Sequence, residues 1–207
     1  VIPQLDTGSP QLNAAAQSVV RITGNAFACG VSQSGTGFVV ADDRVVTNAH
    51  VVAGVTEPVV EAPNGEAIAG SSVYFDPVLD LAIIAVPGLT ADPLPLGDSR
   101  PAGTDAAVQG YPFGGPFTSG AARVMQVGTA QVDDIYGTST HPREVYTLAA
   151  DVRQGNSGGP VLTLDGTVAG VVFARSADTA RVGFAMTLAA LDPVAAEAST
   201  LPATVSS

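Results

Sequence analysis

Short runs of β-branched and apolar residues, separated every few positions by glycine, proline or aspartate, extend along almost the whole chain. Each run is too short for a stable helix and has the composition of a strand. The 23 glycines and 15 prolines provide the turns between these runs. This pattern predicts an all-β protein. The predicted strands cover residues 19–22, 37–40, 45–47, 58–62, 68–75, 81–86, 106–110, 121–130, 144–149, 161–164, 168–173 and 182–186.

A proline-rich stretch at residues 87–104 divides these strands into two sets of six. Two sets of short strands that are joined by a segment rich in proline and glycine are typical of paired β-barrels. We therefore expect a single domain that contains two six-stranded antiparallel β-barrels. Its parts are an N-terminal extension and helix at 1–17, a first barrel at 18–100, a second barrel at 101–186, and a C-terminal helix and tail at 187–207.

Both ends of the chain carry helix signals. Ser9 and Pro10 precede a run of good helix formers, which is the usual order of a cap and a first helical residue. Asp192 and Pro193 begin a second short helix, which we expect to continue to residue 198.

The composition excludes several classes of function. The chain carries a formal net charge of −11, from 19 acidic residues against 8 arginines and no lysine. Such a chain lacks the basic surface that nucleic acids and anionic membranes require. No apolar run approaches the ~20 residues of a membrane span. We expect no nucleic-acid partner, no metal and no cofactor.

Cys29 is the one cysteine of the sequence. Its neighbours offer no positive charge that would lower the pKa of a thiol, so we expect no catalytic role for it. The sequence begins at Val1 without a methionine or a signal-peptide pattern, and we interpret it as an excised fragment.

The segment Gly155-Asn156-Ser157-Gly158-Gly159 has the pattern of a tight turn that presents a nucleophilic hydroxyl. Glycine permits positive φ angles and a close approach of the backbone to a ligand. The N–H groups of Gly155 and Ser157 can then converge on one oxyanion, so Gly155, Asn156 and Ser157 form the candidate oxyanion hole. Clusters of this kind are also ordinary turns. A nucleophile therefore requires a histidine base and a carboxylate elsewhere in the chain.

Two histidines are candidates for the base. His141 lies before a proline in a segment of glycine, serine and threonine, where we expect a loop and an exposed, inert side chain. His50 lies near the end of a predicted strand among small and apolar residues. Its predicted partner is Asp80, which begins a strongly apolar strand where a carboxylate is poorly solvated. Asp76 competes for this role, although Asp76-Pro77 has the pattern of a turn.

The order His50, Asp80, Ser157 is that of the chymotrypsin clan of serine proteases. Five segments resemble the HtrA/trypsin-like bacterial serine proteases: 47–52 (TNAHVV), 80–84 (DLAII), 96–99 (LGDS), 155–160 (GNSGGP) and 183–186 (GFAM). Three further segments are most similar to the membrane-anchored, periplasmic acid-resistance proteases of mycobacteria and related actinobacteria. They are Ala-Cys-Gly near the start, Gly-Thr-Gly-Phe-Val-Val and Gly-Val-Val-Phe. The similarity extends from about residue 18 to residue 186.

This resemblance implies a serine endopeptidase of chymotrypsin-like fold, whose substrates are proteins or peptides. Ser157 would attack the scissile carbonyl, His50 would transfer the proton, and Asp80 would orient the imidazole. Each oxyanion donor would contribute roughly 3 kcal/mol. The resemblance also implies an extracytoplasmic, stress-related role and a membrane anchor N-terminal to this chain. The alternative hypothesis is a catalytically silent trypsin-like module that binds or regulates.

Several positions depart from the pattern of the family. Asn156 occupies the place where trypsin-like zymogens have the aspartate that receives a new N-terminus, so we expect no such activation. Phe173 occupies the approximate place of a serine or threonine that supports the triad carboxylate. The mycobacterial relatives pair the early cysteine with one near the C-terminus, and Cys29 has no such partner in this sequence. No PDZ-like segment follows Met186, which argues against a complete HtrA architecture.

The substrate pocket has four candidate residues, namely Asp151, Arg153, Gln154 and Phe173. Asp151 lies six residues before Ser157, the position that selects arginine or lysine in trypsin. Arg153 is close enough to neutralise this carboxylate, and HtrA-like relatives often prefer apolar residues before the scissile bond. The sequence leaves a basic and an apolar preference open.

Overall fold

The computed structural model describes residues 1–26 and 31–201, so Cys29 lies outside the described residues. Thirteen strands in these ranges form two antiparallel sheets, and the predicted all-β fold of two barrels is confirmed. The first sheet has the order β5-β4-β1-β2-β3-β7-β6, with β1 (Val19–Ala26), β2 (Val31–Ala41), β3 (Arg44–Thr47), β4 (Val59–Glu61), β5 (Ala67–Ala69), β6 (Ser71–Asp76) and β7 (Leu81–Ala85). The second is a closed barrel of order β10-β13-β12-β11-β8-β9, with β8 (Asp105–Gly110), β9 (Thr118–Asp133), β10 (Thr140–Ala149), β11 (Pro160–Thr163), β12 (Val168–Arg175) and β13 (Val182–Thr187).

The first sheet has seven strands rather than the predicted six, because the chain changes direction at Gly70. The predicted strand 68–75 is divided there, so β5 pairs with β4 while β6 pairs with β7. A Cβ atom on Gly70 would lie 2.6 Å from the Ile84 side chain and 2.7 Å from the Ala85 carbonyl oxygen. The close approach of β7 therefore requires glycine at this position.

Helix α1 (Pro10–Ala16) forms at the predicted place, and the Ser9 hydroxyl caps its first turn. A four-residue helix, α2 (Ala49–Val52), follows β3. The predicted C-terminal helix is shorter than expected, because α3 spans Asp192–Ala195 and a separate 3₁₀ turn follows at Ala198–Thr200. None of the helices in the described ranges is both long and apolar enough to cross a membrane.

The second histidine lies on a strand and not in the predicted loop. β9 extends to Asp133 and β10 begins at Thr140, so the loop between them is limited to residues 134–139. His141 is half-buried, and one of its ring nitrogens lies 2.9 Å from the Ser139 hydroxyl. The ends of β9 and β10 extend beyond the core and are therefore rich in polar residues. For this reason the sequence of the segment indicates a loop, although its residues form a paired ladder.

The proline-rich connection runs between the two barrels and binds to both. The Leu94 N–H donates to the Val39 carbonyl oxygen of β2 at 2.9 Å, and the Gly97 N–H donates to the Val168 carbonyl oxygen of β12 at 2.8 Å. Pro95, which lies between these residues, has no N–H to satisfy, which suits a segment that makes few ladder bonds. The connection therefore helps to fix the barrels relative to each other.

A cluster of apolar side chains fills the space between the barrels. It includes Phe38 of β2, Leu162 of β11 and Leu12 of α1, none of which is exposed to solvent. The carbonyl oxygen of Leu12 also accepts a 2.9 Å hydrogen bond from the side chain of Gln109 on β8. Helix α1 is therefore part of the core that joins the two barrels.

Truncation of Leu12 to alanine should lower the free energy of unfolding by about 3 kcal/mol, because a buried leucine leaves a cavity. Leu164→Ala is the matched control, since Leu164 is 40% exposed. Its loss should cost less than about 0.5 kcal/mol. Urea denaturation of both variants measures the difference, and equal losses would contradict a packed α1.

Candidate active site

His50 enters the site on the single turn of α2, directly after β3 ends at Thr47. Asn48 precedes this turn with an extended backbone (φ −79°, ψ 147°) and is fully buried. Its side-chain amide donates to the carbonyl oxygen of Asp80 at 2.9 Å. The strand end that carries His50 is therefore joined to the turn that carries Asp80.

Asp80 ends the turn between β6 and β7 with a left-handed backbone, at φ +56°. Residues other than glycine rarely adopt this conformation, which costs about 1–3 kcal/mol. The Asp80 side chain is 8% exposed. Its Oδ1 accepts the backbone N–H of His50 at 2.9 Å, and its Oδ2 lies 2.7 Å from His50 Nδ1. The unusual backbone thus aims the carboxylate at the imidazole.

The competing carboxylate has a local role. Asp76 Oδ1 accepts the backbone N–H groups of Val78 and Leu79 at 2.9 and 3.0 Å, which closes the turn. No hydrogen bond or ion pair joins Asp76 to His50 in the described residues. Of the two carboxylates, the structure brings Asp80 to the histidine.

Thr36 holds the serine turn against β2 of the first barrel. Its N–H donates to the Ser157 carbonyl oxygen at 2.9 Å, and its hydroxyl donates to the Gly155 carbonyl oxygen at 2.6 Å. A Cβ atom on Gly158, whose φ is +90°, would lie 2.0 Å from the Thr36 carbonyl oxygen. Because glycine alone permits this approach, the glycines serve the contact between the barrels as well as the exposure of the hydroxyl.

The orientation of one peptide group determines whether an oxyanion hole is formed. The Gln154 carbonyl oxygen accepts the Phe113 N–H at 2.5 Å. Because a trans peptide is planar, the N–H of Gly155 points in the opposite direction, away from Phe113. The N–H groups of Gly155 and Ser157 meet no protein acceptor in the described ranges. Both are therefore available to an oxyanion.

Asn156 supports the turn and does not present a donor. Its N–H donates to the Arg153 carbonyl oxygen at 3.0 Å, and its Oδ1 accepts the Arg153 N–H at 2.8 Å. Of the three predicted oxyanion-hole residues, Gly155 and Ser157 are therefore the two whose N–H groups have no protein acceptor in the described ranges.

The predicted nucleophile and base line one open cleft of about 490 Å³. Ser157 Oγ lies 3.5 Å from the Phe173 carbonyl oxygen, and no hydrogen bond joins it to His50 in the part of the chain that the structure describes. Such hydrogen bonds are often loose before substrate binds. The walls of the cleft are Ser32, Gln33, Ser34, His50, Val51, Phe113, Gln154, Gly155 and Ser157.

The four predicted pocket residues have different surroundings. Of these four, only Gln154 lines the cleft. Asp151 and Arg153 form an ion pair in which Nε lies 2.7 Å from Oδ1, and each side chain is 57% exposed. The Phe173 ring lies beneath the Arg143 guanidinium, whose carbon is 4.8 Å from the ring centroid.

Sequence reasoning misses three buried polar residues around the site, Thr36, Asn48 and Arg143. Thr36 lies between Gly35 and Gly37, and a threonine flanked by glycines is a signal of close backbone contact. Asn48 lies two positions before the histidine, at the position of a helix cap. Arg143 gives no local signal, because the groups that it contacts belong to other parts of the chain.

Two antiparallel barrels, with a histidine–aspartate pair from the first and a glycine-flanked serine from the second, have the arrangement of the trypsin-like class of serine peptidases. The family model "Trypsin-like peptidase domain" matches residues 35–171, which is more than half of the chain. The chain belongs to the trypsin-like peptidase family.

Serine protease Rv3671c of Mycobacterium tuberculosis is 44% identical over 182 residues, a match that covers 86% of this chain and 45% of that protein. The protein named "Probable periplasmic serine endoprotease DegP-like" of Halomonas elongata is 34% identical over 164 residues, with 73% of this chain and 32% of that protein covered. The chain thus spans less than half the length of these relatives.

The crystal structure of the active form of Rv3671c protease superposes with a TM-score of 0.89 at 41% identity, covering 100% of this chain and 92% of that chain. An inactive form gives a TM-score of 0.81 at 39% identity, covering 95% and 96%. The resemblance predicted from the motifs is therefore confirmed.

Proposed function

We propose that this chain is a serine endopeptidase that hydrolyses peptide bonds through an acyl-enzyme, with His50, Asp80 and Ser157 as its catalytic triad. The observation that carries this proposal is the 2.7 Å contact between Asp80 Oδ2 and His50 Nδ1. It lies beside a serine turn whose N–H groups are available to an oxyanion. A glycine-rich turn that only connects two strands requires neither a histidine–aspartate contact nor available N–H groups.

The contact with Asp80 supports one tautomer of the imidazole. Because Asp80 Oδ2 accepts a hydrogen bond, Nδ1 carries the hydrogen and Nε2 is the proton acceptor. Ser157 Oγ transfers its proton to Nε2 as it attacks the peptide carbonyl carbon, and the carbonyl oxygen becomes an oxyanion. The Asp80 carboxylate stabilises the imidazolium that His50 then forms.

The oxyanion accepts hydrogen bonds from the N–H groups of Gly155 and Ser157, each of which contributes about 3 kcal/mol in the transition state. Collapse of the tetrahedral intermediate breaks the C–N bond, and His50 gives its proton to the leaving amine. A water molecule then loses a proton to His50, attacks the acyl ester and regenerates the Ser157 hydroxyl.

The site is ready for catalysis without a rearrangement of the backbone. The Phe113 N–H holds the peptide between Gln154 and Gly155 in the orientation that an oxyanion hole requires. The closer superposition on the active form of Rv3671c supports the same proposal. The movement that remains is a rotation of the Ser157 side chain from the Phe173 carbonyl oxygen toward the histidine.

Protein or peptide substrates follow from this chemistry and from the open cleft of about 490 Å³. A periplasmic or other extracytoplasmic location is supported by the name of the DegP-like relative. A membrane anchor N-terminal to this chain and a stress-related role are supported by the motif resemblance to the actinobacterial proteases.

A serine-directed fluorophosphonate should label the wild-type chain, and Ser157→Ala should abolish the labelling, because the activated hydroxyl forms the adduct. Ser34→Ala is the matched control, since Ser34 lines the same cleft and its loss should leave labelling unchanged. Intact-mass spectrometry measures the adduct. An unlabelled wild type would instead support the alternative function, a silent trypsin-like binding or regulatory module.

Specificity for the residue before the scissile bond does not depend on Asp151. Its carboxylate is paired with Arg153, and more than half of each side chain is exposed. Exposed ion pairs are screened by water and contribute little to the binding of a further charge. We therefore propose that the enzyme has no strong preference for arginine or lysine at this position.

Asp151→Ser should change the ratio of cleavage after arginine to cleavage after leucine by less than about fivefold, because an exposed, paired charge contributes less than ~1 kcal/mol. Asp105→Ser is the matched control, since it breaks another exposed ion pair, with Arg123. Cleavage of a peptide library measures the ratio. A strong loss of cleavage after arginine in Asp151→Ser alone would place Asp151 in the pocket and refute this proposal.

A further inference from the structure

A buried arginine from the second barrel lies behind the turn that carries Asp80. Arg143 on β10 is 4% exposed, and its Nη2 donates to the Val78 carbonyl oxygen at 2.8 Å. Its guanidinium stacks over the Phe173 ring. Arginine is almost never fully buried unless its charge is balanced by a partner. Carboxylates near Arg143 must therefore provide this balance.

Asp80 and Asp76 are the carboxylates whose negative charge acts on Arg143. Burial lowers the pKa of Arg143, while Asp80 and Asp76 act in the opposite direction and raise it. Neither carboxylate forms a direct ion pair with the guanidinium in the described residues. The positive charge of Arg143 therefore interacts with the two carboxylates across the turn, without direct contact. The hydrogen bond to the Val78 carbonyl oxygen holds the guanidinium at a fixed place relative to that turn.

Asp80 itself has few partners. Within the described ranges, both donors to its carboxylate belong to His50. The Phe173 ring, over which Arg143 stacks, cannot donate a hydrogen bond to this carboxylate. A buried carboxylate with so few hydrogen bonds requires a compensating positive charge. Arg143, which stacks on that same ring, provides one.

A second bond from the same region holds this turn. The Ile135 N–H donates to the Pro77 carbonyl oxygen at 3.0 Å, one residue before the carbonyl that Arg143 binds. Ile135 lies in the loop between β9 and β10, where Asp134 accepts hydrogen bonds from backbone and hydroxyl groups. These bonds hold the pKa of Asp134 well below its usual range. The carboxylate therefore stays ionised, and its bonds persist, until the pH falls far below that range.

We propose that Arg143 is a positioning residue of the catalytic triad, which anchors the turn at Val78 and places a buried positive charge beside Asp80. This inference rests on the proposed function of the triad. Arg143 does not line the substrate cleft. It acts through Asp80, which in turn orients His50.

The charge of Arg143 has an effect of defined sign. A nearby cation favours the ionised carboxylate of Asp80 and opposes the protonation of His50. Removal of the cation makes the imidazolium easier to form, which moves the acid limb of the pH–rate profile to higher pH. Asp76 and Tyr74 also lie in this region and are hydrogen-bonded to each other, and Asp134 precedes the Ile135 that binds Pro77. All three are unchanged in every variant.

Arg143→Gln retains a donor for the Val78 carbonyl but removes the charge, whereas Arg143→Lys retains the charge. In Arg143→Gln, we expect kcat for a peptide substrate to fall about 10- to 100-fold, with KM within about twofold of wild type. The acid limb should move up by about half a pH unit. Arg143→Lys should restore the acid limb and part of kcat. Arg123→Gln, which removes an exposed arginine of the same barrel, is the control. It should change neither kcat nor the acid limb of the pH–rate profile.

A folded Arg143→Gln with wild-type kcat and an unshifted acid limb would overturn the proposal. Failure of both Arg143 variants to fold would also overturn it, because Arg143 would then be a structural residue. Reaction with the fluorophosphonate separates this inference from the proposed function. If wild type and Arg143→Gln react equally fast, only the role of Arg143 is contradicted, whereas an unreactive wild type contradicts the triad itself.

Discussion

The hydrogen bonds of Thr36 join the two barrels at the point where their functional groups meet. The histidine and its carboxylate partner come from the first barrel and the serine from the second, so their geometry depends on this contact. Beyond its bonds to the serine turn, Thr36 accepts the Tyr111 N–H at 3.0 Å and the Thr47 hydroxyl at 2.8 Å. One buried threonine thereby connects the serine turn, the strand that leads to His50, and the loop that orients the Gly155 N–H.

The turn that carries Asp80 is stabilised in the same way, by bonds from both barrels. Its left-handed backbone is unfavourable in isolation and persists because the surrounding structure holds it, as is typical of strained residues at functional sites. Asn48 binds the Asp80 carbonyl oxygen from the first barrel. Ile135 and Arg143 bind the preceding carbonyl groups from the second barrel. The orientation of the carboxylate is therefore a property of the whole two-barrel assembly.

The alternation of apolar runs and turns is local information, and it is enough to predict the two barrels and most of their strands. The candidate triad is also predictable, because His50, Asp80 and Ser157 each lie beside a local pattern: a strand end, an apolar strand and a glycine-rich turn. Residues that act between the barrels are not predictable in this way. Thr36 and Arg143 bind groups that are distant in the chain, and neither periodicity nor turn chemistry reports such contacts.

The assignment of Asp80 to the triad is tested by the rate of peptide hydrolysis by Asp80→Asn, compared with that by Asp76→Asn. Asp80→Asn should lower kcat by about 10³- to 10⁴-fold, because an amide neither stabilises the imidazolium nor holds the required tautomer. Asp76→Asn should stay within about fivefold of wild type, since an asparagine side-chain oxygen accepts the same backbone N–H groups. A large loss in Asp76→Asn together with a small loss in Asp80→Asn would contradict the assignment of Asp80.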